Sequence, residues 1–109
     1  MTPQEIFEAA ERAAQEATEK HIAKYGDEMK GAWGACGFAW VVVRPARGAF
    51  IKWCKANDKG SKYWSGGWEF WNPSNYPGQN VDYKAAGAKA FCEVLQKNGL
   101  DASWSTRLD

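Results

Sequence analysis

Gly37-Phe38-Ala39-Trp40-Val41-Val42-Val43-Arg44 is the stretch that decides the architecture. It is almost unbroken in apolar and β-branched residues, the composition of a strand with both faces covered, as at the centre of a sheet. Pro45 ends it by removing a ladder donor. A second strand follows at Gly67-Trp-Glu-Phe-Trp71, whose alternation puts Trp68 and Phe70 on one face and Glu69 and Trp71 on the other. The third is Ala102-Ser-Trp-Ser-Thr-Arg-Leu108, with Trp104 on the face of Ala102, Thr106 and Leu108.

Helices separate these strands. Residues 47–56 place Phe50, Ile51 and Cys54 on one side of a short helix that Asn57-Asp-Lys-Gly60 breaks. Asn72-Pro-Ser-Asn-Tyr-Pro-Gly78 is a loop by its turn residues. Asn80 or Asp82 caps the next helix, whose inner stripe is Ala85, Ala88, Phe91, Cys92 and Leu95. Gly87 inside that helix implies a bulky neighbour, an indole by expectation. Leu100 follows the Asn98-Gly99 stop and folds back on Leu95.

Before the first strand, Thr2, Pro3 and Glu5 form a capping box with Pro at the first helical position. Ile6, Ala10, Ala13, Ala17 and Ile22 recur on one face until Gly26 ends the helix, and His21 falls at its end. A glycine-bearing connection covers 27–34. The order α-β-α-β-α-β predicts an α/β (or α+β) fold: one small domain over 1–109, with an N-terminal helix over 1–26 and a sheet-helix core over 35–109. Alternating strands and helices imply crossover connections, and hence a three-stranded, partly parallel sheet packed with three helices. Its two open edges imply a homo-oligomer.

The 109 residues suffice for one modest core. With 14 Lys and Arg against 13 Asp and Glu, the balance lacks the strong basic excess of a duplex-gripping protein. Seven Trp make the chain aromatic-rich, and most of them are expected in the core. No leader pattern or membrane span is visible, so a cytoplasmic protein with no membrane partner is expected. Cys36, Cys54 and Cys92, widely spaced and accompanied by one His, give neither a disulfide framework nor a metal signature. Each is read as a small buried hydrophobe.

Several strings, Gly37-Phe-Ala-Trp-Val41, Trp71-Asn-Pro-Ser74, Gln79-Asn-Val-Asp82, Ala86-Gly-Ala88 and Ser105-Thr-Arg-Leu-Asp109, resemble in their order a family of small tailed-bacteriophage proteins without an assigned function. The likeness covers about two thirds of the chain. It implies a viral protein acting in the host cytoplasm by binding, and supplies no mechanism.

Parallel strands would gather their C-terminal ends along one rim, where ligands bind in open sheets. That rim would hold Arg44, Arg47 and Arg107 as anion forks, Trp71 as a stacking surface, and Asn72, Ser74, Gln79 and Asn80 as polar readers. The expected role is therefore non-catalytic: binding a small anionic ligand such as a nucleotide, or a host protein. A first alternative is a single-stranded nucleic-acid binder stacking bases on Trp64, Trp68 or Trp71 and holding the backbone with Lys52, Lys55, Lys59 and Lys62. A second is a metal-dependent nuclease or nucleotide hydrolase using Glu69, Asp82 and Asp109, although no catalytic, metal-ligating or cofactor-binding constellation can be assembled by spacing.

Overall fold

The computed structural model describes residues 1–26 and 35–109, so the connection expected over 27–34 lies outside the described residues. The elements are α1 (Pro3–Tyr25), β1 (Gly37–Val43), α2 (Ala49–Ala56), β2 (Ser61–Lys62), β3 (Trp68–Trp71), α3 (Val81–Lys97) and β4 (Ala102–Leu108). The fold is α+β, with a four-stranded sheet in the order β2-β3-β1-β4 and every pairing antiparallel.

Two expectations change here. The sheet has a fourth strand, and neighbouring strands are not parallel. Both follow from β2, which pairs Ser61 with Glu69 and Lys62 with Trp68 at an exposed edge. Two polar residues with no buried face leave no periodic trace. From β1 onward the chain is a split βαβ arrangement, β-α-β-β-α-β. Each helical crossover does join strands running the same way, β1 to β2 and β3 to β4. In each case another strand is inserted between the pair: β3 in the first, β1 in the second.

Local signals account for the helix ends. Thr2 Oγ1 accepts from the Glu5 N–H at 3.1 Å while the Glu5 carboxylate accepts from the Thr2 N–H at 2.9 Å. Donation from the Thr2 backbone N–H, and after it from the Thr2 hydroxyl, holds the Glu5 carboxyl below its ordinary range. Asn80 caps α3 by accepting from the Asp82 N–H at 2.8 Å. The second helix begins at Ala49, after Gly48, and not at Arg47.

One face of the sheet carries the core. Ala39, Val41 and Val43 of β1, Phe70 of β3 and Ala102 of β4 meet side chains from all three helices. At its centre Phe7 packs against Trp53, Phe70 and Phe91 at ring separations of 5.6, 6.0 and 6.0 Å. Each fully buried Phe of this kind contributes about 1.5–3 kcal/mol of transfer free energy.

The buried stripe of α1 runs through Ile6, Phe7, Ala10, Ala14 and Thr18, a rotation from the expected Ala13 and Ala17, which are half-buried. Thr18 can lie inside because its hydroxyl donates to the Ala14 carbonyl at 2.7 Å. Against α1 and the 72–77 loop stands Gly87 of α3, where a β-carbon would come within 2.4 Å of Ser74 Cβ and 2.7 Å of Thr18 Oγ1. The neighbour that requires glycine is thus another chain segment at close approach, and not an indole.

The tryptophans also depart from expectation. Trp53 and Trp68 pack on the core, whereas Trp64, Trp71 and Trp104 are exposed. Cys54 and Cys92 are buried as expected, but Cys36 is exposed. No helix is long and apolar enough to cross a membrane, among the described residues.

Candidate ligand-binding face

The second face of the sheet follows from the register. Trp40 stands opposite Trp71 on one side and Ser105 on the other, Phe38 opposite Arg107, and Val42 opposite Glu69 and Ser103. Alternation therefore puts Phe38, Trp40, Val42, Glu69, Trp71, Ser103, Ser105 and Arg107 together, away from the helix-covered core. Half of the Trp71 surface, 52%, is open to solvent, and Ser103, Ser105 and Arg107 are exposed.

Three rings form a row across the two central strands. Phe38 and Trp71 lie 5.5 Å apart, Trp71 and Trp40 5.7 Å apart, and the two indole planes differ by only 12°. Solvent faces of antiparallel sheets are ordinarily polar, and a contiguous ring cluster there is a departure from that pattern and the candidate site of this chain.

Cations frame one end of the row. The Arg107 guanidinium sits 5.5 Å from the Phe38 centroid, and the Lys84 ammonium 5.2 Å from it. Lys84 is buried and donates to the Gly37 carbonyl at 2.9 Å, so its charge is held at a fixed place. Toward the other end, Glu69 is pushed above the ordinary carboxylate range by partial burial. There the face is closed by the 63–67 turn: Gly67, at φ 108°, lays its backbone so close to Val42 and Arg44 that a β-carbon would meet them at 2.8 and 2.9 Å. Arg44 itself lies over Tyr63 at 5.6 Å.

The residues expected along one rim divide into two groups. Antiparallel pairing puts Arg44 and Arg47 beyond the end of β1, about 20 Å from Phe38 along a strand rising about 3.3 Å per residue. Trp71, Asn72, Gln79, Asn80 and Arg107 gather where β1 begins. Asn72 donates its backbone N–H to the Ala39 carbonyl at 3.0 Å, and the Gln79 carbonyl accepts from the Gly37 N–H at 3.0 Å.

Within this second group the polar side chains mostly complete turns. Asn72 Nδ2 donates to the Tyr76 carbonyl at 3.1 Å, and Ser74 Oγ donates to Asn72 Oδ1 at 2.6 Å while accepting from the Tyr76 N–H at 3.0 Å. Asn72 and Asn75 take positive φ, 46° and 57°, as loop Asn residues do. Of the expected set, Trp71 and Arg107 are on the open face.

Phe38 and Trp40 were missed because an apolar run reads as buried on both sides. The signal was present in the alternation of side-chain size: aromatic residues occupy only even positions of β1, and small or branched ones the odd positions.

The groups invoked for other chemistry are dispersed. Trp68 faces the helices and donates Nε1–H to the Lys59 carbonyl at 2.8 Å, and Lys55 lies over its ring at 5.3 Å. Lys59 lies over Phe7 at 5.4 Å, and Lys62 shares the helix-side register with Trp68. Trp64, 88% exposed, is in the 63–67 turn. Glu69 is on a strand face, Asp82 in the first turn of α3 and Asp109 after β4. Among the described residues no three His, Cys, Asp or Glu groups approach metal-site geometry.

Two concave regions lie elsewhere. A groove of about 850 Å³ separates α1 from the 72–77 loop, and a cleft of about 480 Å³ between α1, α3 and Trp104 includes His21, Asp82 and Lys89. Comparisons with protein-family models, curated proteins and solved structures find no match.

Proposed function

We propose that this chain is a non-catalytic binding protein that takes single-stranded nucleic acid on the open face of its sheet. Phe38, Trp71 and Trp40 would offer stacking surface, Arg107 and Lys84 would attract phosphate, and Ser103 and Ser105 would supply hydrogen bonds. The observation that carries the reading is the ring row across the two central strands with a guanidinium at its end.

Base–aromatic stacking is worth about 1–3 kcal/mol per base and tolerates any base. Aromatic side chains on a four-stranded sheet are a known way to hold unpaired bases, and this correspondence is one of architecture. A row of three rings with centres 5.5 and 5.7 Å apart exceeds what one base covers, which favours a strand over the mononucleotide expected at a rim. In the phage setting implied by the motif resemblance, such a protein would act by occupying strands in the host cytoplasm.

Titration of intrinsic Trp fluorescence with an oligothymidylate at low salt tests the proposal. Saturable quenching is expected from the strand and little from thymidine monophosphate. A response to the monophosphate alone would return the reading to a small anionic ligand, and no response to either would remove both.

A further inference from the structure

Among the described residues β4 is an edge strand, paired with β1 on one side alone. The direction of each backbone group follows from two bonds at the ends of the β1–β4 ladder. Arg44 N–H donates to the Asp101 carbonyl, and Asp109 N–H donates to the Cys36 carbonyl, each at 3.0 Å. Asp101, Ser103, Ser105, Arg107 and Asp109 therefore direct their N–H and C=O groups toward β1. Those of Ala102, Trp104, Thr106 and Leu108 point outward.

Ala102 is already occupied. Its N–H donates to the Leu100 carbonyl at 3.0 Å, and its carbonyl accepts from Gln96 Nε2 at 3.0 Å. This leaves a row of three outward residues, Trp104, Thr106 and Leu108, which among the described residues pair with no strand. The edge has no proline, no bulge and no lysine to blunt it.

The row is self-complementary about Thr106. Antiparallel pairing of two copies across a two-fold axis at Thr106 sets Thr106 against itself and Trp104 against Leu108. All three free residues of each copy then bond across the edge. The same register joins the exposed indole of Trp104, 41% open, to the exposed Leu108, 66% open, on the helix side. On the other side Ser105 meets Arg107, so no like charges stand directly opposite. A centre at Ser105 or Trp104 would instead direct Leu108 or Thr106 at the backbone groups of Ala102 that are already bonded.

We infer that β4 is a homodimer interface, with Thr106 at its two-fold axis and an eight-stranded sheet as its product. Such an axis runs perpendicular to the sheet, so the Phe38-Trp71-Trp40 rows of both copies would lie on one continuous face. The interface itself does not depend on what that face binds.

The test is the mass of the full chain in solution together with cysteine cross-linking in a Cys36→Ser background. At tens of micromolar the native chain is expected at twice its 12.2 kDa. Thr106→Pro, which removes an outward donor, is expected to halve that mass with an unchanged circular dichroism spectrum. Thr106→Cys is expected to form a covalent dimer under mild oxidation, since paired residues with Cα atoms about 5.5 Å apart can bridge. Ser105→Cys and Trp104→Cys are expected to cross-link at least tenfold more slowly. A monomeric native chain, or cross-linking through Ser105→Cys or Trp104→Cys in preference to Thr106→Cys, would overturn the inference even if Thr106→Pro failed to fold.

Discussion

Trp40 and Trp71 stand opposite each other across the β1–β3 register, with ring planes 12° apart and centres 5.7 Å apart. Trp40 is half-buried on the central strand, and Trp71 is open to solvent beside it. The inner indole supports the outer one, so a flat ring is displayed without a flexible stem. Arg107 and Lys84 place positive charge at the adjoining Phe38.

Arg107 gives a prediction in salt. Arg107→Gln should lower affinity for an oligothymidylate and reduce the slope of log K against log salt by about 0.7, the value for one phosphate contact on a single strand. Titrations at several salt concentrations measure it. An unchanged slope would assign the guanidinium only to the Phe38 ring.

Gly87 is the packing prediction. Gly87→Ala places a methyl within 2.4 Å of Ser74 Cβ, and the contact on the other side is the buried Thr18 hydroxyl. A cost of about 1–3 kcal/mol is expected for such overpacking, lowering Tm by roughly 4–8 °C per kcal/mol. Thermal unfolding by circular dichroism reads it directly, and an unchanged or higher Tm would show that the loop yields.

The thiols separate by exposure. Burial pushes Cys54 from 9.0 up to about 12, with Lys59 opposing, and burial followed by the neighbouring Glu93 raises Cys92. Iodoacetamide at pH 8 should label Cys36 rapidly and the other two only after unfolding. Because the folded pKa of Cys54 exceeds the unfolded one, its contribution is intact below pH 9 and is lost as pH rises toward about 12. Peptide mapping after labelling checks the first statement, and alkaline unfolding of Cys54→Ala against the native chain checks the second.

Glu69 titrates in the same sense at lower pH. Partial burial raises its pKa in the fold, so its contribution is present in acid and is lost as pH rises through and beyond the ordinary carboxylate range. Glu69→Gln should therefore gain stability at pH 7 relative to pH 3, by no more than about 0.5 kcal/mol on a largely open face. Urea unfolding at the two pH values provides the measurement, and a larger gain at pH 3 would contradict it.

Much of the fold is legible in the chain because its signals are local. The Thr2–Glu5 capping box, the Asn80 cap, the Val41–Val43 run and the alternation of Trp68 to Trp71 each act within a few residues. Strand direction is not local. It turned on Ser61 and Lys62, whose pairing with Glu69 and Trp68 buries nothing and so leaves no pattern. The site was half legible for a related reason. Trp71 and Arg107 declare themselves by alternation, whereas Phe38 and Trp40 sit in a run whose apolarity conceals which residues face out.

The most direct test of the open face is the affinity of the native chain and of Trp71→Ala for a short fluorescent oligothymidylate, measured by anisotropy at low salt. The ring is 52% exposed but stacks on Trp40, so its removal should lower Tm modestly without unfolding the chain, and affinities are compared well below both midpoints. Loss of one stacked base should weaken binding by about 1–3 kcal/mol, roughly 5- to 150-fold in Kd. Equal affinities for the two proteins, or no binding by the native chain, would contradict the account.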